Sequence, residues 1–268
     1  MIQKRVWSVL GVIAFMALIA LSVFMFNGVI AQPSGADVTE GTPERAPEDA
    51  AGSASAFAGN LTELTLSGYT TTQTWQAFYG NVTGTIQLAD STDNVFYNWS
   101  SVEPEGEVFA STNSSITWTS IQCFNFTANG TEGGTSGETA GGTSLGGLNL
   151  SQLETRFNVA SDDVDGVNET FGFTITHDAF FVGALQFSAG ECLAAATYDS
   201  TGQSVNNNFE EVLLYEPATR SVVFTAIIEE AALNGFDGAD HDFQMIVLED
   251  GHGTDVATTT YFFWVEIE

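Results

Sequence analysis

Beyond residue 57 the chain is a succession of short runs in which apolar side chains return at every second position. Residues 82–88, 116–121 and 171–175 alternate in this way, and a period of two is that of a strand with one buried face. Residues 212–215 and 221–228 are almost continuously apolar instead, as in strands covered on both faces. Turn signals separate the runs at Gly80-Asn81, at residues 90–94 and at residues 216–220, where Pro217 pre-sets a turn dihedral. The spacing predicts an all-β fold, an antiparallel β-sandwich of jelly-roll or Ig-like type spanning residues 57–268. Only one helix is predicted within it. Residues 151–154 carry Ser and Glu at capping-box spacing, and Leu150, Leu153 and Phe157 share a helical face.

Charge narrows the classes of partner. Acidic residues number 34 against 5 basic ones, a formal net charge of −29. No basic stripe exists to neutralise phosphates, which argues against a nucleic-acid binder. At 44% hydrophobic residues with 21 Phe, the chain is equally unlike a disordered acidic tail. After residue 31 there is no lysine, and Arg45, Arg156 and Arg220 are the only permanent cations. High salt tolerates such a surface by screening its self-repulsion; in this respect the chain resembles proteins of extremely halophilic archaea.

The N-terminus predicts export. Lys4 and Arg5 precede an uncharged run over residues 6–31. About 20 apolar residues cross a bilayer as a helix, which favours a retained transmembrane anchor, while Val29-Ile30-Ala31 offers the small-residue pattern of signal-peptide cleavage. Either way the positive flank stays inside, the rest is exported, and the membrane is a partner through this helix. Residues 32–56 hold three prolines and five acids with no Leu, Ile or aromatic before position 57; they read as a disordered acidic stalk. Residues 127–149, rich in Gly and Thr, read as a surface insertion in a single domain.

Two further features agree with export. Asn-x-Ser/Thr acceptors occur at Asn60, Asn81, Asn98, Asn113, Asn125, Asn129, Asn149 and Asn168 and predict a glycosylated surface. Cys123 and Cys192 are the only cysteines; in an oxidising compartment they would most simply form one disulfide, and two buried free thiols are the alternative.

Two segments carry a resemblance. Residues 75–88 with Phe96-Tyr97-Asn98-Trp99 form the first, and residues 242–247 with 261–266 the second. Together with the regions around Cys123 and Cys192 they resemble a group of archaeal, haloarchaeal, exported β-rich surface proteins of unassigned activity, over residues 70–268. The resemblance implies an extracytoplasmic β-rich module and carries no catalytic residues with it; the Gly- and Thr-rich insertion departs from the pattern.

Candidate chemistry is sparse. His177, His241 and His252 lie near turn signals and meet no zinc or blue-copper spacing. Asp162, Asp163 and Asp165 form one short acidic loop, and Asp237, Asp240 and Asp242 another. Such oxygen donors suit calcium by ligand type, but neither loop fits the EF-hand pattern, and solvated turns are the default. No Gly-x-Ser-x-Gly elbow or phosphate-binding glycine loop is present. Trp75, Trp99, Trp118 and Trp264 are read as core, with a sugar-stacking platform as the alternative. No cofactor is predicted beyond that calcium option. The sequence therefore points to a non-enzymatic cell-surface structural or interaction protein, adhesive or a filament or envelope subunit. Its partners would be other surface proteins or further copies of itself, joined by strand addition through residues 60–66. An extracellular carbohydrate- or solute-binding module is the alternative, and a secreted hydrolase lacks a supporting constellation.

Overall fold

The computed structural model describes residues 32–100, 104–126, 148–172, 174–229, 233–252 and 257–268. The predicted N-terminal helix over 1–31, Asn129 and most of the 127–149 insertion lie outside them. Among the described residues no helix is long and apolar enough to cross a membrane. The regular structure among them is mostly antiparallel strand with little helix.

The principal sheet grows from the most apolar part of the sequence. The strands at Glu210–Glu216 and Ser221–Ile227 pair as a hairpin around the predicted Pro217 turn. There the Glu216 carboxylate accepts from the backbone N–H groups of Ala218 and Thr219, both at 2.8 Å. The second of these strands pairs with Gly106–Ser111, which pairs in turn with Phe262–Ile267. On the other side of the hairpin, Gln122–Cys123 and Ala194–Ala196 share one edge of Glu210–Glu216. Strands from both sides of the Gly- and Thr-rich insertion thus enter one sheet. Numbered along the chain, the strands are β1 (Ser34–Gly35), β2 (Trp75–Gly80), β3 (Thr85–Ala89), β4 (Val95–Ser100), β5 (Gly106–Ser111), β6 (Gln122–Cys123), β7 (Phe180–Val182), β8 (Leu185–Phe187), β9 (Ala194–Ala196), β10 (Glu210–Glu216), β11 (Ser221–Ile227), β12 (Leu233–Asn234), β13 (Asp240–His241), β14 (Phe243–Leu248) and β15 (Phe262–Ile267). The sheet order is β1-β15-β5-β11-β10-β6, with β9 also paired to β10, on the edge that β6 occupies.

Alternation along the central strands sends apolar side chains both ways. Leu213, Tyr215, Phe224 and Val108 enter a cluster with Met245 and Val247 of β14, and Trp75 and Phe78 of β2 pack against it. Val212, Leu214, Val223 and Phe109 enter a second cluster with Phe180 and Val182 of β7 and the two cysteines. Both faces are therefore covered, which is why β10 and β11 read as unbroken apolar runs.

The helix α1 (Leu150–Arg156) buries Leu150 and Leu153, and Phe157 behind it, on the first cluster as their spacing predicts. Its cap lies earlier than the predicted Ser151–Glu154 pair. Asn149 is the N-cap: its side chain accepts from the Gln152 N–H at 3.0 Å, and the Gln152 side chain accepts from the Asn149 N–H at 3.0 Å. A second helix, α2 (Val167–Thr170), is one turn long. Replacing Asn149 with Ala should cost about 1 kcal/mol, as loss of a cap does, while Asn149→Ser should recover most of it; urea unfolding of the two variants would show the difference.

Three expectations need correction. Residues 116–121 form no strand; Trp118–Ser120 is a single 3-10 turn that inserts Trp118 between Phe109 and Trp264, at ring distances of 5.1 and 5.3 Å. Burial of the indole outweighs the local alternation. Of residues 171–175 the described ones form no strand either: Phe171 is buried and Gly172 makes one bridge to Ala194. The stalk assigned to 32–56 begins inside the fold, because Pro33 is buried and β1 pairs with Trp264 and Val265 of β15. The open edge of β15 offers unpaired backbone groups, and an extended Pro-Ser-Gly segment satisfies them. From residue 37 to 73 there is neither helix nor strand.

Candidate interaction surface

Acids in a chain without lysine beyond residue 31 are expected on the surface, yet Glu107, Glu154, Glu210, Glu211, Glu216 and Glu266 are buried. Only three arginines follow residue 31, so these groups must be satisfied otherwise. They take backbone N–H groups. Glu107 of β5 accepts from Phe181 at 3.0 Å, and its cross-strand neighbour Glu266 of β15 accepts from Gly183 at 2.8 Å, so the pair pins the β7–β8 hairpin to the sheet. On the opposite face Glu211 accepts from Ile246 of β14 at 2.8 Å. Glu229 accepts from Phe209, whose φ of 46° lies in the left-handed region that a bulky side chain rarely adopts. Burial pushes the Glu107 carboxyl up to about 9, with Glu266 and Glu268 adding to the rise, and pushes Glu229 up to about 7. These carboxyls work as internal fasteners.

Cys123 and Cys192 are bonded, with Cα atoms 5.3 Å apart. They sit where β6 and the approach to β9 meet on the shared edge of β10. His177, expected in a turn, is fully buried beside them. Its Nε2 accepts from the Cys192 N–H at 2.9 Å, which leaves the proton on Nδ1 to donate to the Asp178 carbonyl at 2.6 Å. Burial lowers its pKa, in keeping with a neutral ring.

The calcium candidates do not converge. The Asp237 carboxylate accepts from the Ala239 N–H and lies 3.0 Å from His241 Nε2, that of Asp240 accepts from Asn234, and that of Asp242 accepts from the Val82 N–H at 2.7 Å. Asp163 and Asp165 likewise accept from Ala160 and Thr72. Among the described residues no three His, Cys, Asp or Glu side chains gather as a metal would require. Of the acceptor asparagines, Asn60, Asn81, Asn98 and Asn168 are exposed. Asn113, Asn125 and Asn149 are half-buried, and Asn113 donates to Ser221 at 2.8 Å.

The surface that stands out is the β3–β4 hairpin. Its tip is tightly built: the Asp90 carboxylate accepts from the backbone and side chains of Thr92 and Asn94 at 2.8 to 3.0 Å, which holds it well below the usual carboxylate range. Asp93, at φ 62°, completes the reversal. At the base, Gly84 runs so close to β15 that an added Cβ would lie 2.2 Å from the Ile267 side chain. In between, the register pairs Ile86 with Trp99 and Leu88 with Tyr97, and the interposed pair is Gln87 with Asn98. Strand alternation therefore puts Ile86, Leu88, Tyr97 and Trp99 on one face and the Asn98 acceptor on the other. All four apolar side chains are exposed, by 43 to 56%. Phe96, at the irregularity in the register, is 85% exposed. Trp99 thus departs from the core assignment that Trp118 fulfils.

Two other exposed apolar groups complete the picture. Leu61, Leu64 and Leu66, expected on a donor strand, lie in the segment without regular structure, and Leu61 and Leu66 are almost wholly exposed. Tyr79 and Phe236 are half exposed and meet edge to face at 4.9 Å, with His241 against both. Comparison of the chain with family models, curated proteins and solved structures returns no match.

Proposed function

We propose that this chain is a non-enzymatic cell-surface interaction protein: an exported β-sandwich carried on or released from the membrane by its first 31 residues, glycosylated, and adapted to a salt-rich medium. The β3–β4 hairpin carries this reading. A two-stranded hairpin is marginal in water on its own, and one that keeps four large apolar side chains on a single face while its other face carries a glycan acceptor is arranged for contact. The buried glutamates support a non-catalytic role, since each described one is engaged in holding backbone. Brief protease treatment of intact cells of the source organism should remove the protein, and deglycosylation should lower its mass. Full protection in intact cells would overturn the assignment to the surface.

The Tyr79, Phe236 and His241 cluster, with Asp237 beside it, favours the second reading, a module for a carbohydrate or small solute. Retention on an immobilised polysaccharide that is lost in Tyr79→Ala, and kept in Trp99→Asp, would select it.

A further inference from the structure

We infer that the apolar face of the β3–β4 hairpin, formed by Ile86, Leu88, Tyr97 and Trp99, docks on the same face of a second copy of this chain. The inference rests on the surface-interaction reading and names its partner.

Charge is the first argument. A chain with net charge −29 repels its own copies almost everywhere. Residues 64–89 and 94–102 contain no charged side chain, and the acids of the hairpin, Asp90 and Asp93, are confined to its tip. The docking face is thus a neutral apolar island. A cationic partner would find nothing on it to pair with, whereas a second island of the same kind brings no further charge into the contact, and every copy supplies one. An isologous contact of this sort closes on itself as a two-fold dimer.

Geometry is the second argument. Any glycan on Asn98 projects from the opposite face and leaves the apolar side clear. Tyr97 and Trp99 meet at 4.8 Å with planes inclined at 62°, so they form no flat shelf for a sugar ring, and Ile86 and Leu88 beside them offer it no hydrogen bonds. Entry into a bilayer tip first would carry Asp90 and Asp93 into the hydrocarbon, at considerable cost. Asp90 and its hydrogen bonds fix the turn beforehand, so little order is lost on docking. Strands of five and six residues make a small interface, so the contact is weak and reversible; many copies on facing surfaces would strengthen it through avidity.

The test is sedimentation velocity on the protein isolated from its cells, over a concentration series at low and at molar salt. Mild detergent is added where residues 1–31 are retained. The wild type should show a monomer–dimer equilibrium that tightens with salt as repulsion is screened. Leu88→Asp and Trp99→Asp should weaken it at least about tenfold. Gln87→Asp adds the same charge to the opposite face and should stay within about twofold of wild type in molar salt. Unchanged thermal melts of the variants would show that the core is intact. A wild type that stays monomeric throughout, or that instead sediments with neutral lipid vesicles, would overturn the assignment. Equal loss in Gln87→Asp, or a comparable loss in Leu64→Asp, would do the same by placing the contact elsewhere. Surface exposure on intact cells is a separate measurement, so failure of the dimer leaves the proposed function standing.

Discussion

Stability should fall as pH rises from about 4.5 to about 9, and Glu107→Gln should remove much of that slope. The Glu107 carboxyl titrates at about 9 in the fold against 4.5 for a free glutamate, chiefly because it is buried. The folded protein therefore holds a proton that the unfolded chain has released over this window. Unfolding then becomes easier by about 1.4 kcal/mol for each pH unit, on the order of 3 kcal/mol by pH 7. Below about 4.5 both states are protonated and the contribution is fully present; above about 9 it is lost. Glu229, titrating at about 7, adds to the fall in the lower part of the window. Glutamine keeps the oxygen that accepts from Phe181 and has no proton to lose. The variant should be more stable than wild type at pH 8 to 9 and show a flatter profile between pH 5 and 9. Parallel urea-unfolding profiles for the two proteins would refute the assignment of the slope to Glu107.

Removing the disulfide should have an effect of similar size. The bond joins residues separated by 69 positions, and releasing a loop of that length costs roughly 4 kcal/mol in the chain-entropy view. Cys123→Ala with Cys192→Ala keeps the site apolar within the cluster formed by Phe180, Val182, Val212 and Leu214. Unfolding of this double variant should shift by about that amount at pH 7. A shift below about 1 kcal/mol would mean that His177 and the pairing of β6 and β9 to β10 hold the edge without the bond.

Local signals made some elements legible and concealed others. The β10–β11 hairpin could be read because two apolar runs flank a proline turn, and α1 because Leu150, Leu153 and Phe157 fall on one helical face. The Asn149 cap was hidden behind its reading as a glycan acceptor, although Gln152 stands three residues on. Trp118 misled because alternation around it is genuine while its burial is decided by Phe109 on the preceding strand and by Trp264, distant in sequence. Acids such as Glu107 and Glu211 look like surface residues until the backbone donors of β7 and β14 arrive beside them. The hairpin posed the converse difficulty: Ile86, Leu88, Tyr97 and Trp99 alternate as a buried face would, and no local pattern reports that they stay half exposed.

One feature of the sheet bears on how the chain comes to be folded. Strand β5 lies between β11 and β15, and the segment that completes its second edge begins about 150 residues after β5 ends. Closing so large a loop is slow, because its entropy must be spent before the pairing repays it. During synthesis Val108, Phe109 and Ala110 emerge well before either neighbouring strand. A nascent chain of this topology leaves β5 without its second edge for most of its elongation. The same delay leaves β5 exposed to mispairing if elongation stalls, so folding yield should depend on how quickly β15 follows.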